Sequence, residues 1–419
     1  MKEKIKENIN NPEKLEQLFH ENRKSFESNF ESVFSEIEKT ELAKYWKIRL
    51  DFDKITDEKK KISLSDILIM ISACIIAGFL IKIPDLFNIK LTDLLFYERN
   101  AGIILFFGLT IYVVGINRIF DRKKLALIII AFIIPAIYIN LLPSFNDSDS
   151  INLAYIHLPL LMWCIFGLVY IGFNINDKTR RIEYIKYNGD LAILAALLLI
   201  AGGILTGITI SLFAAIGFNI EKFYTHNIVI IGLVSVPIVA TYIIKNYPIM
   251  TSKIATIIAN IFSPLVLLTA IIFLAALAIS GKDPYNDRNF LMMFNAMLFG
   301  VMAIIVFSIS ETSISGKQKF NEMILFFLSI ITVLIDLIAL SAIFYRLGTF
   351  GISPNRLAIL GSNILILGNL VLIVIDLYKV NFKETKISKV ELTISKYLPV
   401  YVIWILVVIF AFPFIFRMK

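Results

Sequence analysis

Asp336 is the side chain of this sequence best suited to chemistry. It lies inside the apolar stretch 320–345, roughly ten residues or ~15 Å from one end at the rise of an α-helix. A carboxyl group in a bilayer core costs about 2.5–3.5 kcal/mol, so such residues face a bundle interior and mark proton or ion pathways. If the next stretch returns as a hairpin, Asn363 and Asn369 bracket the depth of Asp336, and Arg356 shares a helix face with Asn363. Two interpretations remain open: a proton- or cation-responsive site, in which Asp336 is protonated or paired, and a polar clasp between helices.

Two arginines flank the connection between these two stretches. Arg346 precedes it and Arg356 follows it, and Ser353 with Pro354 predicts that a helix begins here. Two guanidinium groups beside a helix amino terminus suit a phosphate or carboxylate ligand. The alternative is ion pairing with acidic residues of segment 283–287 or with lipid phosphate. The predicted ligand-binding residues are therefore Asp336, Arg346, Arg356, Asn363 and Asn369.

The rest of the sequence offers little for catalysis. Its histidines, His20, His157 and His226, form no metal-binding spacing, and both cysteines fall inside apolar stretches. No phosphate-binding loop, dinucleotide-binding glycine pattern or serine nucleophile motif occurs. We therefore assign no catalytic residue, no metal and no cofactor. A membrane glycosyl- or phosphoryl-transfer enzyme that uses acids of its outer connections stays a minor alternative, because those connections are short.

Composition places these residues in a membrane protein. Hydrophobic residues make up 58% of the 419 residues, and the mean hydropathy is +0.77, well above the values of globular proteins. A helix of about 20 apolar residues crosses a bilayer. Such stretches occur at 65–83, 100–117, 124–142, 151–173, 190–214, 226–244, 252–280, 289–309, 320–345, 355–378 and 396–416. The predicted fold is an all-α polytopic transmembrane bundle of about eleven spans.

Basic residues alternate between the connections and predict the topology. Arg118, Arg122, Lys123 and Lys124 surround one connection, whereas the next, 143–150, contains no lysine or arginine. Because basic connections stay in the cytoplasm, the amino terminus is expected inside and the carboxyl terminus in the periplasm. The expected location is a bacterial inner membrane.

The amino-terminal part differs from the rest and predicts two domains, a cytosolic helical head at 1–62 and a membrane domain at 63–419. Asn11 followed by Pro12 predicts a helix start, and apolar residues recur at helical spacing up to Leu50. The head is expected to pack on connections such as 174–190, or to bind a protein partner. Its own charges balance, so the net charge of +8 lies in the membrane connections and favours lipid headgroups over nucleic acid.

The connection between the ninth and tenth stretches also carries a resemblance. An aromatic residue, Gly, an apolar residue, Ser, any residue, Asn and Arg follow an upstream arginine, as Phe350-Gly351-Ile352-Ser353-Pro354-Asn355-Arg356. This pattern resembles the membrane family called domain of unknown function 4153. The run Asn11 to Leu18, and Leu42-Ala43 with Trp46, is similar to the cytosolic head of its Bacteroidetes members. The resemblance implies a polytopic bacterial inner-membrane protein and transfers no catalytic residues.

These observations predict an integral membrane protein that transports or senses a small solute, an ion or a lipid through a polar pocket near Asp336 and Arg356. The alternative is a membrane scaffold whose head binds a protein partner.

Overall fold

The computed structural model describes residues 1–38, 40–57, 64–87, 96–143, 148–215, 219–279, 285, 288–312 and 319–418. Over these residues the chain forms helices and turns and contains no strand. It divides into two compact units, Met1–Ile67 and Leu68–Lys419. The predicted all-α class is confirmed.

The first unit contains four helices, α1 (Lys2–Glu7), α2 (Pro12–Glu21), α3 (Arg23–Ile37) and α4 (Glu41–Asp57). The predicted helix start is confirmed, because the Asn11 side chain accepts a hydrogen bond from the backbone N–H of Lys14 at 3.1 Å. The indole of Trp46 packs on the rings of Phe19 and Phe26 at centroid distances of 5.4 and 5.0 Å. The apolar faces of these helices therefore bury one another in a small core.

Among the described residues, eleven helices are long and apolar enough to cross a membrane, as predicted. A short helix, α6 (Ile83–Leu86), follows the first of them. The eleven are α5 (Leu64–Ile81), α7 (Phe96–Ile116), α8 (Arg122–Leu141), α9 (Asp149–Tyr170), α10 (Lys178–Ala215), α11 (Glu221–Asn246), α12 (Pro248–Ile279), α13 (Arg288–Thr312), α14 (Lys319–Phe350), α15 (Pro354–Phe382) and α16 (Ser388–Ile415). The chain is a multi-pass membrane protein.

Two helices extend beyond the predicted stretches. Helix α10 begins at Lys178 and continues through Asn188 and Gly189, although these residues disfavour helix; the burial of Tyr184 and Tyr187 stabilises this part through packing. Helix α14 continues to Phe350, so Asp336 lies further from the turn than its position in 320–345 suggested. The connection 174–190, expected to be a loop, is therefore largely helical.

Helices α14 and α15 form an antiparallel pair with the most extensive contact between any two helices that the structure describes. Gly351 adopts a φ of +73°, which allows the sharp reversal. The Ser353 hydroxyl accepts a hydrogen bond from the backbone N–H of Arg356 at 3.4 Å, and Pro354 takes the first helical position. The predicted hairpin and helix start are confirmed.

Candidate functional site

A large cavity opens among five helices of the second unit. Its volume is about 760 Å³, which is in the size range of small-molecule sites. Residues of α9, α10, α13, α15 and α16 contribute to its lining. Most of them are apolar, among them Leu161, Ile165, Met302, Val306, Ile366 and Leu398. Sequence reasoning missed this cavity.

The cavity is long and reaches the outer surface of the bundle. Along α9 it extends from His157 to Ile171, about 20 Å at 1.5 Å per residue. This length exceeds the ~15 Å depth of one leaflet in a ~30 Å hydrocarbon core. Leu160, Phe299 and Ile403 line the cavity and are 45, 50 and 63% exposed. The opening is therefore lateral, toward the apolar surroundings of the bundle.

The polar groups of the cavity wall mostly bind each other. The Trp404 indole N–H donates to the Ser362 hydroxyl at 3.2 Å, and Asn369 Nδ2 donates to the Tyr401 hydroxyl at 3.0 Å. His157 Nδ1 lies 2.8 Å from the Leu153 carbonyl oxygen and donates to it. Few hydrogen-bonding groups are left to face the cavity, so its surface suits an apolar ligand.

One end of the cavity carries basic residues. Arg181 lines the cavity, and its guanidinium group donates to the carbonyl oxygens of Ile175 and Ser395. Arg180, next to it, lies at 3.7 Å from the Asp177 carboxylate and remains largely exposed. A negatively charged group at this end would therefore meet positive charge.

Asp336 is buried and does not line this cavity. By helix rise Asp336 and Asn369 are about 21 and 22 Å from the turn that joins α14 and α15, so they occupy the same level. The Asp336 carboxylate is within electrostatic range of the Tyr401 hydroxyl. Asp336 has 0% exposure, and neither carboxylate oxygen has a hydrogen-bond partner among the described residues. A buried acid is therefore within electrostatic range of Tyr401, a residue of the cavity wall.

Two expectations for Asp336 are wrong. We expected a polar cavity open at the turn, but the side chain exposes no surface and the cavity that exists is apolar. The sequence also predicts pairing with Asn363 or Asn369, but neither oxygen of Asp336 accepts a hydrogen bond from a described residue. Asn363 is buried and donates instead to Asn295 Oδ1 of α13 at 2.7 Å. The amide nitrogens of Asn363 and Asn369 therefore bind other residues and not Asp336.

Arg346 and Arg356 form a separate group near the turn. Their guanidinium carbons lie 5.6 and 5.5 Å from the centre of the Phe350 ring. Arg356 donates to the carbonyl oxygens of Phe350 and Gly351 at 2.8 and 2.7 Å and so caps the end of α14. Arg346 is ten positions from Asp336 on α14, about 15 Å away. The structure therefore does not join the arginines and Asp336 in one pocket, and segment 283–287, apart from Tyr285, lies outside the described residues.

A second buried acid shows what a satisfied carboxylate looks like in this bundle. Asp376 is 7% exposed and accepts a hydrogen bond from the Thr393 hydroxyl at 2.6 Å. Lys379 and Lys389 lie 3.4 and 3.7 Å from it. Asp376 is therefore paired with two lysines, in contrast to Asp336, whose oxygens have no partner among the described residues.

A third polar cluster joins α6 to α11. Lys82 Nζ lies 2.5 Å from Asp85 and donates to the backbone carbonyl of His226 at 2.6 Å. His226 Nε2 is 3.1 Å from the same carboxylate. The hydrogen bond from Lys82, together with the one from His226, lowers the pKa of Asp85 below its ordinary value. This cluster is a contact between elements and does not line the large cavity.

No protein-family model matches the chain, and neither a search of curated proteins nor one of solved structures gives a significant match. The resemblance carried by the turn at Gly351 therefore stays a prediction.

Proposed function

We propose that this protein binds a membrane lipid, with an acyl or isoprenoid chain in the apolar cavity, and that it transports or senses that lipid. The observation that carries the proposal is the cavity itself, about 760 Å³ in volume, apolar in lining and open at the side of the bundle. Such a cavity fits the chains that surround the protein in a bilayer.

A polar solute or an inorganic ion fits this cavity poorly. Selective sites for polar ligands present hydrogen-bonding groups that the ligand satisfies. Here Ser362, Tyr401 and the amide nitrogen of Asn369 are already engaged with protein partners, and the amide oxygen of Asn369 is buried. Among the ligands expected from the sequence, the lipid is therefore favoured.

The basic end of the cavity supports an anionic headgroup. Lys178, Arg180 and Arg181 lie in the first turn of α10, at an end of the bundle that the distribution of basic residues assigns to the cytoplasm. The cytoplasmic leaflet of bacterial and other membranes carries anionic lipids that attract such clusters. We infer that the headgroup lies at Arg181 and the chain extends toward His157, in a bacterial inner membrane.

Photolabelling can test lipid entry. The purified protein is placed in vesicles that contain a phosphatidylglycerol with a diazirine on one acyl chain, irradiated and digested. Met302 and Ile366 line the cavity but are only 8 and 2% exposed, so bulk lipid around the bundle has little access to them. Labelling at these two residues is the expected result. Label confined to outward side chains such as Leu268 and Ile271, which are 55 and 46% exposed, would overturn the proposal.

A matched pair of substitutions sharpens this test. Ala303 lines the cavity at an exposed position, whereas Ala201 is exposed on α10 and does not line it. Ala303→Phe is expected to reduce labelling of Met302 and Ile366, because the added ring narrows the opening. Ala201→Phe adds the same ring to the bundle surface and should leave the labelling unchanged.

The scaffold function keeps one specific observation in its favour. The first unit has its own core, and its helix α4 exposes Tyr45 and Ile48 by 59 and 66% on positions three apart. Exposed apolar side chains at this spacing suit a partner helix. A partner that co-purifies with the whole chain and is lost in Tyr45→Ser/Ile48→Ser would support this function. Co-purification that survives the double substitution would count against it.

A further inference from the structure

The interior of the bundle holds polar groups that the lipid cavity does not use. Among the described residues, none donates a hydrogen bond to either oxygen of Asp336 or to the amide oxygens of Asn363 and Asn369. All three side chains are buried, with exposures of 0, 0 and 1%. Buried polar atoms without partners are uncommon in native proteins and each calls for an explanation.

Protonation explains the two oxygens of Asp336 better than a bound metal ion does. An ionised carboxylate that is buried without donors costs several kcal/mol, whereas the neutral acid carries no charge. Oxygen-binding cations require about six ligands in one cage. The described residues contain no group of three or more His, Cys, Asp or Glu side chains that could hold a metal.

Few other ionisable groups face Asp336. Tyr401 on α16 is within electrostatic range, and Tyr397 packs on the Tyr401 ring at 5.2 Å. Segments 254–279 of α12 and 289–310 of α13 contain no Asp, Glu, Lys, Arg, His, Cys or Tyr. On α15 the nearest acid is Asp376, about 10 Å along the helix from Asn369 and paired with lysines. The titration of Asp336 is therefore not shared with a strong partner of opposite charge.

We propose that Asp336 is a proton-binding site and that its protonation is coupled to lipid occupancy of the cavity. This inference rests on the proposed function, because Asn369 and Tyr401 form part of the cavity wall. A lipid chain in the cavity excludes water from that wall and makes a charged carboxylate behind it still less favourable. The lipid-bound protein thus holds the proton more tightly, and by linkage lipid binding weakens as the pH rises.

The coupling is measured with the diazirine phosphatidylglycerol as the probe. The mole fraction of probe that gives half-maximal labelling of Met302 and Ile366 is determined between about pH 4 and about pH 9, which covers ordinary and buried carboxyl groups. In the wild type the half-maximal fraction should rise with pH, by at most about tenfold per pH unit for one coupled proton. Asp336→Asn, which keeps the shape and cannot ionise, should label equally at every pH.

Asp376→Asn is the matched control. It removes a buried carboxylate that has hydrogen-bond and ion-pair partners, so the pH dependence of labelling should persist. If Asp376→Asn abolished the dependence and Asp336→Asn did not, the assignment to Asp336 would be wrong. A dependence on sodium concentration at constant pH, without a dependence on pH, would identify a cation site and overturn the proton site.

A second readout does not depend on the lipid. Infrared spectra of the wild type in vesicles without probe should contain the band of a protonated carboxyl group. This band should be lost in the spectrum of Asp336→Asn and kept in that of Asp376→Asn. If the band is present but Met302 and Ile366 are not labelled, the proposed function fails and the proton site stands. If labelling occurs without the band and without pH dependence, the proton site fails and lipid binding stands.

Discussion

Gly361→Ala adds one methyl group next to Trp404, a residue of the cavity wall. Gly361 on α15 faces the indole of Trp404 on α16, which lines the cavity. A Cβ atom at this position would lie 2.0 Å from Cζ2 and 2.2 Å from Cη2 of that ring, whereas carbon atoms prefer about 3.5–4.0 Å. The indole must therefore move away from α15.

The cost follows from what holds the indole in place. Overpacking of this kind typically costs about 1–3 kcal/mol. Displacement also breaks the hydrogen bond from Trp404 to Ser362, 3.2 Å in length, and a neutral hydrogen bond contributes about 1 kcal/mol. The sum is about 2–4 kcal/mol of lost stability.

Gly203→Ala is the matched control. Gly203 is in the interior of α10, and a Cβ there would have no heavy atom of the described residues within 4 Å. Both substitutions gain the same helix propensity, about 0.5–1 kcal/mol, and this gain cancels in the comparison. Gly361→Ala should therefore be about 2–4 kcal/mol less stable than Gly203→Ala.

Equilibrium unfolding by SDS in mixed micelles measures this difference. Adding Trp404→Phe should recover part of the loss in Gly361→Ala, because the smaller ring leaves room for the methyl group. Probe labelling of Met302 should fall in Gly361→Ala as the indole shifts. The reasoning would be refuted if the two glycine variants unfolded within about 0.5 kcal/mol of each other.

Three further predictions concern other parts of the chain. The Lys82 hydrogen bond lowers the pKa of Asp85, so its stabilisation is present above the pKa of an unfolded aspartate, about 4, and is lost as the pH falls through the lower folded value. The midpoint temperature of thermal unfolding should consequently change less between neutral pH and strong acid in Asp85→Asn than in the wild type. An equal change in the two proteins would contradict this. Trp46, which is 2% exposed, is part of the core of the first unit, so Trp46→Ala should lower the stability of that unit by about 3–5 kcal/mol and remove amide-exchange protection from α2 to α4. Tyr45→Ala should change the stability by less than about 0.5 kcal/mol. Equal protection in the two variants would be inconsistent with the core described. A phosphatase fused to the carboxyl terminus should be active in the periplasm. If a reporter that works only in the cytoplasm were active when fused to the carboxyl terminus, the predicted topology would be wrong.

Local signals in the sequence predicted the elements well. The apolar stretches identified all eleven long helices, and Ser353 with Pro354 marked the start of α15. Asn11 with Pro12 marked the start of α2 in the same way. These signals are strong because a bilayer requires long helices whose backbone groups are satisfied internally, and because caps depend on residues adjacent in the chain.

The position of Asp336 was predictable, but its environment was not. Its place in an apolar stretch indicated a residue that faces the bundle interior, and its exposure is indeed 0%. Whether Asn363 and Asn369 pair with it depends on the rotation and spacing of α13, α14 and α15, which sequence periodicity does not determine. Asn363 instead donates a hydrogen bond to Asn295, and Asn369 donates one to Tyr401.

By itself, the sequence determined the all-α class, the eleven helices and the candidate acid, because each follows from residue type and spacing along one chain segment. The tertiary structure decided where the helices leave space. Leu161, Met302 and Ile366 line the cavity, while Leu268 and Ile271 face outward, although all are equally apolar. Lipid chains are about as apolar as these side chains, so hydropathy cannot distinguish a surface against lipid from the wall of a cavity within the bundle. Only the packing of α9, α10, α13, α15 and α16 makes that distinction.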